Sequence, residues 1–502
     1  MQNRYEVLQH RRQFILGQNY TTLPSWKRTE VRPQILLSTH PDLPVEQVKK
    51  DNTSITLLGF ILDADNPHRK NNEILLGLMP PLFGDHDPTF KSTPTLGGRW
   101  ILIVDNGEDV EIFGDCFGMK TVFHTQGKLP WCGSQLGVLQ QQLGLPLDPE
   151  ALSYQEACLK AGQVEYWFPN TSTLCKEVKC LLPNHALNLV TGKVRRFWPQ
   201  KGIAKTSLRH AVKIGGHLLS GLMEAVAERS KMMIFISAGL DSRLVLAAAR
   251  KVKDSMPGLT YISDGMDPDD VAVPSLLLPK VGIPHKVIDC RSEMSEEFSE
   301  AYISNTVPAH AAYGKIAFGI QNSASEPFLQ VNGSGGEILR AYGHEYGGRK
   351  IDADYLLVNF LKHPFAFREI KEWLDSVADV QGIDIMDLFY IEQRMGRWCT
   401  EGYTEWDIVN DCFTPFNCRA VIETLKGVNE NYQREPETEL IYSLIRSLWP
   451  EILSVPINPH KKHHRQPQPR SLKQTIKNRM IRSHLLDYFP TRLIDSAKKL
   501  LP

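Results

Sequence analysis

The first two hundred residues alternate short apolar runs with Gly, Pro and Asn, a pattern typical of short β-strands joined by tight turns. Residues 97–105 are predicted to form one strand, and residues 110–115 a second. Asn106-Gly107 follows the first of them, and this dipeptide favours a hairpin turn. The pattern therefore predicts a β-rich layered fold for this part of the chain, with a hairpin over residues 97–115.

From about residue 205 the pattern changes to longer helical periodicities interrupted by brief apolar strands. Residues 207–229 predict an amphipathic helix, because their apolar side chains recur at helical spacing. Alternation of strands and helices predicts a parallel, doubly wound sheet, whose ligands bind at the carboxyl ends of the strands. The apolar side chains of the helix are Leu208, Val212, Ile214, Leu218, Leu219 and Leu222, and the predicted strands are 232–236, 259–263 and 286–289.

Length and charge narrow the class of protein. A chain of 502 residues exceeds one ordinary core, so we expect two domains, 1–200 and 205–502. The 57 basic residues balance the 57 acidic ones, which gives no electrostatic sign of a nucleic-acid or anionic-membrane partner. Nine scattered cysteines without a C-x-x-C pair disfavour zinc and disulfide frameworks. With no signal-peptide pattern and no apolar run of about 18 residues, we expect a cytoplasmic protein without a membrane span.

The most informative stretch follows the strand at 232–236, where the chain turns into a helix through Ser237, Ala238, Gly239, Leu240, Asp241 and Ser242. Backbone N–H groups at the start of a helix bind anions, and the carboxylate of Asp241 suits Mg²⁺ bound to phosphates. An ordinary capped strand–helix turn uses the same residue types. The stretch is not a Walker loop, because no Lys follows its second small residue. By spacing alone, both interpretations stay open.

A second glycine-rich stretch follows the predicted strand at 328–331. It runs Asn332-Gly333-Ser334-Gly335-Gly336-Glu337 and ends in a carboxylate. Two carboxylates on separate loops, Asp241 and Glu337, are what a triphosphate-bound Mg²⁺ needs. The alternative is a glycine turn with a solvated glutamate.

These motifs resemble those of the asparagine synthetase superfamily, which includes β-lactam synthetases and lasso-peptide cyclases. Residues 237–242 are similar to its pyrophosphatase loop S-G-G-x-D-S, and residues 332–338 to its S-G-E-G-x-D-E segment, with Glu337 on the metal-binding acid. The spacing from Asp270 to Gly282 and His285 also matches a helix of that family. The resemblance implies an α/β ATP-pyrophosphatase domain that uses ATP and Mg²⁺, with Ile262 and Gly335 joining the loop in cofactor binding.

The N-terminal part resembles the glutamine amidotransferase domain of the same family, an α+β Ntn-hydrolase-like fold. The matching residues are Gly98-Arg99, Asp115-x-x-Gly118 and Ser134-Gln135-Leu136. In that family a cysteine directly after the initiator methionine is the nucleophile. Here that position is Gln2, and the first cysteine is Cys116. Because an amide cannot form a thioester, we expect a degenerate domain without glutaminase activity.

Three further residues are catalytic candidates by this resemblance. Lys461 or Lys462 corresponds to a lysine that stabilises the developing pyrophosphate, although a solvated basic loop explains these lysines equally well. Asp411 corresponds to a glutamate that orients a tyrosine base in β-lactam synthetases. Ser334 stands at the place of that tyrosine and cannot act as a base unaided, so the general base stays open.

A predicted helix over residues 387–398 carries two further basic residues, Arg394 and Arg397. Their three-residue spacing predicts that they share one face of the helix. They are compatible with a carboxylate or phosphate pocket, and equally with structural ion pairs.

The resemblance implies an AMP-forming ligase that adenylates a carboxylate and joins it to an amine or to ammonia. The acid is a small molecule, a peptide or a glycan, and a partner biosynthetic enzyme fits such a role. The alternatives are asparagine formation from free ammonia, a catalytically inactive nucleotide-binding scaffold, and a transferase that hydrolyses glutamine through another residue.

Overall fold

In the computed structural model, residues 6–82, 93–324, 326–341, 351–434 and 438–460 are described. Two antiparallel sheets precede one parallel sheet along the chain. Helices of varied length connect and cover them.

The two antiparallel sheets have six strands each. The strands are β1 Phe14–Gly17, β2 Lys27–Arg32, β3 Ile35–Thr39, β4 Val45–Lys50, β5 Thr53–Asp63, β6 Leu96–Asp105, β7 Val110–Gly114, β8 Phe123–Thr125, β9 Cys132–Gly133, β10 Val178–Cys180, β11 His185–Asn188 and β12 Val194–Arg196. The first sheet has the order β10-β8-β9-β1-β3-β2, and the second has the order β12-β11-β7-β6-β5-β4. The predicted hairpin over residues 97–115 is confirmed, since β6 and β7 pair antiparallel from Asp105 opposite Val110.

Strand β6 is buried on both faces, because its alternate side chains enter two different cores. Ile101 and Ile103 point into a small core between the two sheets, where they meet Phe14 and Leu16 of β1. The residues between them, such as Leu102, belong to the main core. The two sheets therefore pack face to face, and the second sheet also packs against the rest of the protein.

The parallel sheet consists of β13 Met232–Phe235, β14 Gly258–Ile262, β15 His285–Asp289, β16 Leu329–Val331 and β17 Cys412–Phe413. Its order is β15-β14-β13-β16-β17, and all neighbouring strands are parallel. The strands predicted at 232–236, 259–263 and 286–289 are confirmed, as is an α/β parallel sheet in this part of the chain. His285 begins β15, and its Nε2 lies 3.0 Å from the hydroxyl of Thr260.

The helices of the described residues follow the predicted alternation. They are α1 Asn71–Leu82, α2 Leu136–Leu143, α3 Pro149–Lys160, α4 Leu208–Ala227, α5 Leu240–Ala248, α6 Asp269–Lys280, α7 Glu296–Asn305, α8 Ala311–Ser323, α9 Ala353–Leu356, α10 Pro364–Ser376, α11 Ile385–Phe389, α12 Thr400–Trp406, α13 Arg419–Lys426 and α14 Glu439–Leu448. Short 3₁₀ helices span Glu6–Leu8, Arg250–Ser255, Gly336–Arg340, Leu357–Asn359, Glu430–Tyr432 and Pro450–Ser454. The predicted amphipathic helix is α4, which Ser207 caps by accepting a hydrogen bond from the N–H of His210.

The helix predicted over residues 387–398 differs in its winding. After α11 the chain continues as a π-helix, Tyr390–Cys399. Because a π-helix has a wider turn, residues three apart do not share a face. The prediction for Arg394 and Arg397 was therefore wrong: Arg394 stacks 3.9 Å above the ring of Trp398, whereas Arg397 is buried and bonds Glu401 at 2.9 Å.

A buried guanidinium joins the second antiparallel sheet to the segment before β17. Arg99 of β6 is 1% exposed, and its Nη1 lies 2.5 Å from Asp407 and 2.6 Å from Asp411. Burial alone would lower the pKa of Arg99, but the two carboxylates outweigh it and raise the pKa. Burial would raise the pKa of Asp411, but Lys120, Arg99 and Arg12 together lower it to about 2.

Among the helices described, none combines the length and the apolar character needed to cross a bilayer. All nine cysteines are buried as free thiols. In the described part of the chain, no group of three or more His, Cys, Asp or Glu side chains is arranged to hold a metal ion.

Arg99→Met should lower the free energy of unfolding by about 3–5 kcal/mol, since it leaves Asp407 and Asp411 buried without their cation. Chemical denaturation measures this loss. Lys231→Met is the control and should leave stability nearly unchanged. It removes an exposed ion pair, in which the side chains of Lys231 and Glu326 are 77% and 63% exposed. Equal effects of the two substitutions would contradict this role of Arg99.

Asp411→Asn should show a stability loss that depends on pH. The lowered pKa means that ionised Asp411 stabilises the fold above about pH 4, and that this contribution disappears as the pH falls through 2. Ionised Asp411 contributes about 2 kcal/mol to the free energy of unfolding. The difference in unfolding free energy between native protein and variant should therefore shrink between pH 5 and pH 2. A difference in unfolding free energy that does not change with pH would contradict the lowered pKa of Asp411.

Candidate functional site

The turn from β13 into α5 is held by hydrogen bonds within residues 237–242. The N–H of Ser237 donates to the hydroxyl of Ser242 at 3.2 Å, and the N–H of Gly239 donates to the hydroxyl of Ser237 at 3.2 Å. The two hydroxyls are 3.2 Å apart. Gly239 has extended backbone and caps α5 without a side chain. The serines therefore fix a tight loop at the carboxyl end of β13.

Neighbouring segments hold this loop from outside. The N–H of Ala238 donates to Asp270 at 2.9 Å, so the carboxylate of Asp270 positions the loop. The carbonyl of Ala238 accepts from the N–H of Asn458 at 3.2 Å. His460, at the end of the described residues, bonds Asp269 through its ring at 2.7 Å. The start of α6 and the last described segment therefore both contact the loop.

The two predicted metal ligands come together beside the loop. Nη2 of Arg340 lies 2.8 Å from Oδ2 of Asp241 and 3.8 Å from Oε1 of Glu337. Nε of Arg394 lies 3.8 Å from Oε2 of Glu337. Two carboxylates and two guanidinium groups therefore form one cluster, although β13 and β16 are far apart in sequence.

Glycines allow this close approach of the two loops. A Cβ at Gly333 would lie 2.9 Å from the backbone of Asp241 and Ser242, and a Cβ at Gly336 would lie 2.8 Å from the Cβ of Asp241. Gly335 has a positive φ of 94°, a conformation that other residues rarely adopt. The glycine-rich sequence after β16 is thus required by packing against residues 241–242.

A cavity of about 510 Å³ opens at this edge of the parallel sheet. Of the residues predicted to bind cofactor or metal, the cavity lining includes Ser237, Asp241, Ser242, Gly335 and Glu337. Ala238, Gly239 and Leu240 complete the loop without lining the cavity, and Ile262 lies between two lining residues, Tyr261 and Ser263. The structure therefore brings most of these predicted residues into one site.

Aromatic side chains form much of the remaining wall, and sequence reasoning missed them. The ring of Trp406 lies 5.9 Å from Tyr313, 6.2 Å from Tyr403 and 6.5 Å from Tyr261. Tyr403 and Trp406 share α12, but Tyr261 and Tyr313 come from β14 and α8, so no single periodic pattern connects the four in the sequence. The aromatic residues of the lining are Phe235, Tyr261, Tyr313, Tyr390, Trp398, Tyr403 and Trp406.

Of the predicted catalytic residues, Asp411 alone is among the described residues, and it does not line this cavity. Its carboxylate is engaged by Arg99 in the buried ion pair described above. The catalytic role that the resemblance implies for Asp411 stays a prediction. Lys461 and Lys462, like Gln2, lie outside the described residues. Ser334 lines the cavity, and its carbonyl accepts a hydrogen bond from Thr414 at 2.7 Å.

Tyr403 is a lining hydroxyl with an unusual environment. Its hydroxyl donates to Asn332 in the loop after β16, and Arg99 lies 5.8 Å from its ring centre. Burial, followed by Cys399 and Cys412, holds the pKa of Tyr403 well above its ordinary value. Tyr403 therefore connects the buried ion pair to the loop that carries Glu337.

A larger cavity, of about 760 Å³, lies elsewhere, at the N-terminal segment. Its charged lining includes Arg11 and Asp42, which pair with each other at 2.7 Å. Burial lowers the pKa of His40 to about 4, so that imidazole is neutral at pH 7. None of the predicted site residues lines this cavity, and we therefore assign the candidate site to the smaller one.

No protein-family model and no curated protein matches the chain. Among solved structures, it is similar to a glutamine phosphoribosylpyrophosphate amidotransferase from B. subtilis in complex with ADP and GMP, at 11% identity and a TM-score of 0.22 over 65% of this chain and 70% of that one. It is also similar to a structure named as the allosteric regulatory enzyme of purine biosynthesis, at 10% identity and a TM-score of 0.23, with 65% and 70% coverage. Similarity this low carries no conclusion about fold or function.

Gly336→Ala should destabilise the protein by about 1–3 kcal/mol, because its Cβ would collide with Asp241. Gly216→Ala in α4 is the matched control, since its Cβ would meet Leu448 at an ordinary 3.4 Å. There alanine should leave stability unchanged or raise it by up to about 1 kcal/mol. Thermal unfolding compares the two variants. Equal stability of Gly336→Ala and native protein would show that the loops do not pack as described.

Proposed function

We propose that this chain is an ATP-dependent ligase that forms AMP and pyrophosphate while joining a carboxylate to an amine or to ammonia. The observation that carries the proposal is the meeting of Asp241 and Glu337 beside residues 237–242 in one cavity. The proposal includes a degenerate amidotransferase-like domain, 1–200, and an ATP-pyrophosphatase domain, 205–502.

The loop supplies the polar groups that a pyrophosphate needs. The N–H groups of residues 237–239 have acceptors within the protein, so the backbone N–H groups offered to phosphate are those of residues 240–242, at the start of α5, where the helix dipole favours negative charge. The hydroxyls of Ser237 and Ser242 face the same cavity and can donate to phosphate oxygens. In the proposed reaction this loop holds the β- and γ-phosphates while the α-phosphate is attacked.

Asp241 and Glu337 fit an Mg²⁺ ion that is bound mainly by phosphate. Mg²⁺ in nucleotide sites commonly takes one or two carboxylates and completes its shell with phosphate oxygens and water. Asp241 and Glu337 are two such carboxylates, and among the described residues no group of three or more ligands stands in their place. The metal would neutralise phosphate charge during the transfer, and Arg340 and Arg394 add two cations beside it.

The proposed reaction has two steps, adenylation of the acid and displacement of AMP by the amine. A carboxylate oxygen of the acid attacks the α-phosphorus, the bond between the α-phosphorus and the bridging oxygen breaks, and pyrophosphate leaves. The amine nitrogen then attacks the carbonyl carbon of the acyl-adenylate. The bond from that carbon to the phosphate oxygen breaks, AMP leaves, and the nitrogen releases a proton to solvent. Positioning and charge neutralisation account for most of the rate in such transfers.

A catalytically inactive nucleotide-binding scaffold is the second candidate function. The observation that favours it is the position of Arg340, whose guanidinium contacts both carboxylates and offsets part of their charge within the protein. Such an arrangement stabilises the loop without a metal. Turnover distinguishes the two functions, since the scaffold binds nucleotide but releases no pyrophosphate.

Native protein incubated with ATP, Mg²⁺, ammonium and a panel of carboxylic acids should release pyrophosphate and AMP in equal amounts with at least one acid. Asp241→Asn should lower this rate by at least about a hundredfold, because one metal-binding charge is lost. Asp254→Asn, whose side chain is 90% exposed, is the control and should retain full activity. Binding of Mg-ATP without turnover would favour the scaffold. A native protein that binds no Mg-ATP would contradict both functions.

Glutamine should not replace ammonium in this assay. The proposed degenerate domain has Gln2 where the nucleophile is required, and all nine cysteines are buried. Incubation with glutamine alone should therefore release no glutamate, as measured by a coupled glutamate dehydrogenase assay. Glutamate release would show that another residue hydrolyses glutamine, and that the N-terminal domain is an active amidotransferase.

A further inference from the structure

The candidate cavity receives one carboxylate from the N-terminal part of the chain. Glu165 lies in the segment between α3 and β10 and is solvent-exposed, yet it lines the cavity together with Asp241 and Glu337. Within the described part of the chain, Glu165 forms no ion pair. It therefore presents to the cavity a negative charge that no cation of the described residues pairs with.

Aromatic rings surround this carboxylate. Tyr313 lines the cavity with Glu165 and packs 5.9 Å from Trp406, and burial followed by the charge of Glu165 raises the pKa of Tyr313. Trp406 in turn lies 6.5 Å from Tyr261. Burial, then Cys290 and Glu165, raise the pKa of Tyr261 to about 12. The cavity lining that includes Glu165 thus also contains three aromatic rings that pack against one another.

The charge of the cavity favours a cationic ligand in this region. The described lining contains four carboxylates, from Glu165, Asp241, Asp270 and Glu337, and one guanidinium, from Arg394. Asp270 is used by the loop, and the arginines stand beside Asp241 and Glu337. Among the described residues, Glu165 has neither an ion pair nor a role in holding the loop.

We infer that Glu165, Tyr261, Tyr313 and Trp406 form a subsite for a protonated primary amine. Aromatic faces attract ammonium groups, and a carboxylate accepts the N–H hydrogen bonds that a quaternary ammonium lacks. This inference rests on the proposed function, since it assigns the subsite to the amine that displaces AMP. The bound ammonium first releases one proton to solvent, which frees the nitrogen lone pair for attack on the acyl-adenylate, and the second proton leaves after the amide bond has formed. It makes the N-terminal part of the chain a contributor to substrate recognition, independent of glutamine hydrolysis.

Binding of n-propylammonium chloride to the full chain tests the subsite directly, with tryptophan fluorescence as the readout and sodium chloride at equal concentration as the ionic-strength control. Native protein should bind n-propylammonium more tightly than the neutral n-propanol. Glu165→Gln should weaken ammonium binding about threefold to tenfold. Glu177→Gln, an exposed glutamate that does not line the cavity, should leave it unchanged. Equal binding by Glu165→Gln and native protein, or equal binding of the two probes, would overturn the inference.

The acid-dependent exchange of labelled pyrophosphate into ATP separates this inference from the proposed function. Exchange needs no amine, so Glu165→Gln should exchange at the native rate while its KM for the amine rises. A native protein without exchange would contradict the ligase but leave the ammonium-binding result to decide the subsite. A lower exchange rate in Glu165→Gln with unchanged KM for the amine would overturn the inference.

Discussion

A guanidinium cannot be buried without partners, and the contact between the antiparallel and parallel sheets depends on this constraint at Arg99. Its partners, Asp407 and Asp411, both belong to the segment that leads into β17. Any shift of β6 relative to this segment would expose or separate these charges. The requirement for pairing therefore fixes the position of the second antiparallel sheet beside the edge of the parallel sheet.

The side chain of Tyr403 links the buried ion pair of Arg99 to the candidate site. Tyr403 packs near Arg99 and donates a hydrogen bond to Asn332, which begins the loop that carries Glu337. On the other side of that loop, glycines let it contact the turn at Asp241 without a gap. The site is thus held between a buried ion pair and a close contact of two backbones, which keeps its carboxylates together without a bound ion.

Much of this arrangement followed from the sequence because it depends on local pattern and on a simple topological rule. Apolar alternation predicted the hairpin at 97–115 and the parallel strands. The resemblance to the asparagine synthetase superfamily assigned Asp241 and Glu337 to one metal ion. The structure shows why their loops meet, since β13 and β16 are neighbours in the parallel sheet. What could not be predicted depends on long-range packing. Arg394 and Arg397 diverge because the helix widens, Asp411 is drawn to Arg99, and Glu165 reaches the cavity from a distant part of the chain.

The central claim is that residues 237–242 hold the pyrophosphate part of ATP, with Mg²⁺ between that group and the two carboxylates. A crystal structure with Mg²⁺ and α,β-methylene-ATP, in which the scissile bridge cannot break, tests it most directly. We expect the β- and γ-phosphates against the N–H groups of the loop and the metal within coordination distance of Asp241 or Glu337. Phosphates bound away from this loop, or a metal bound without either carboxylate, would contradict the account.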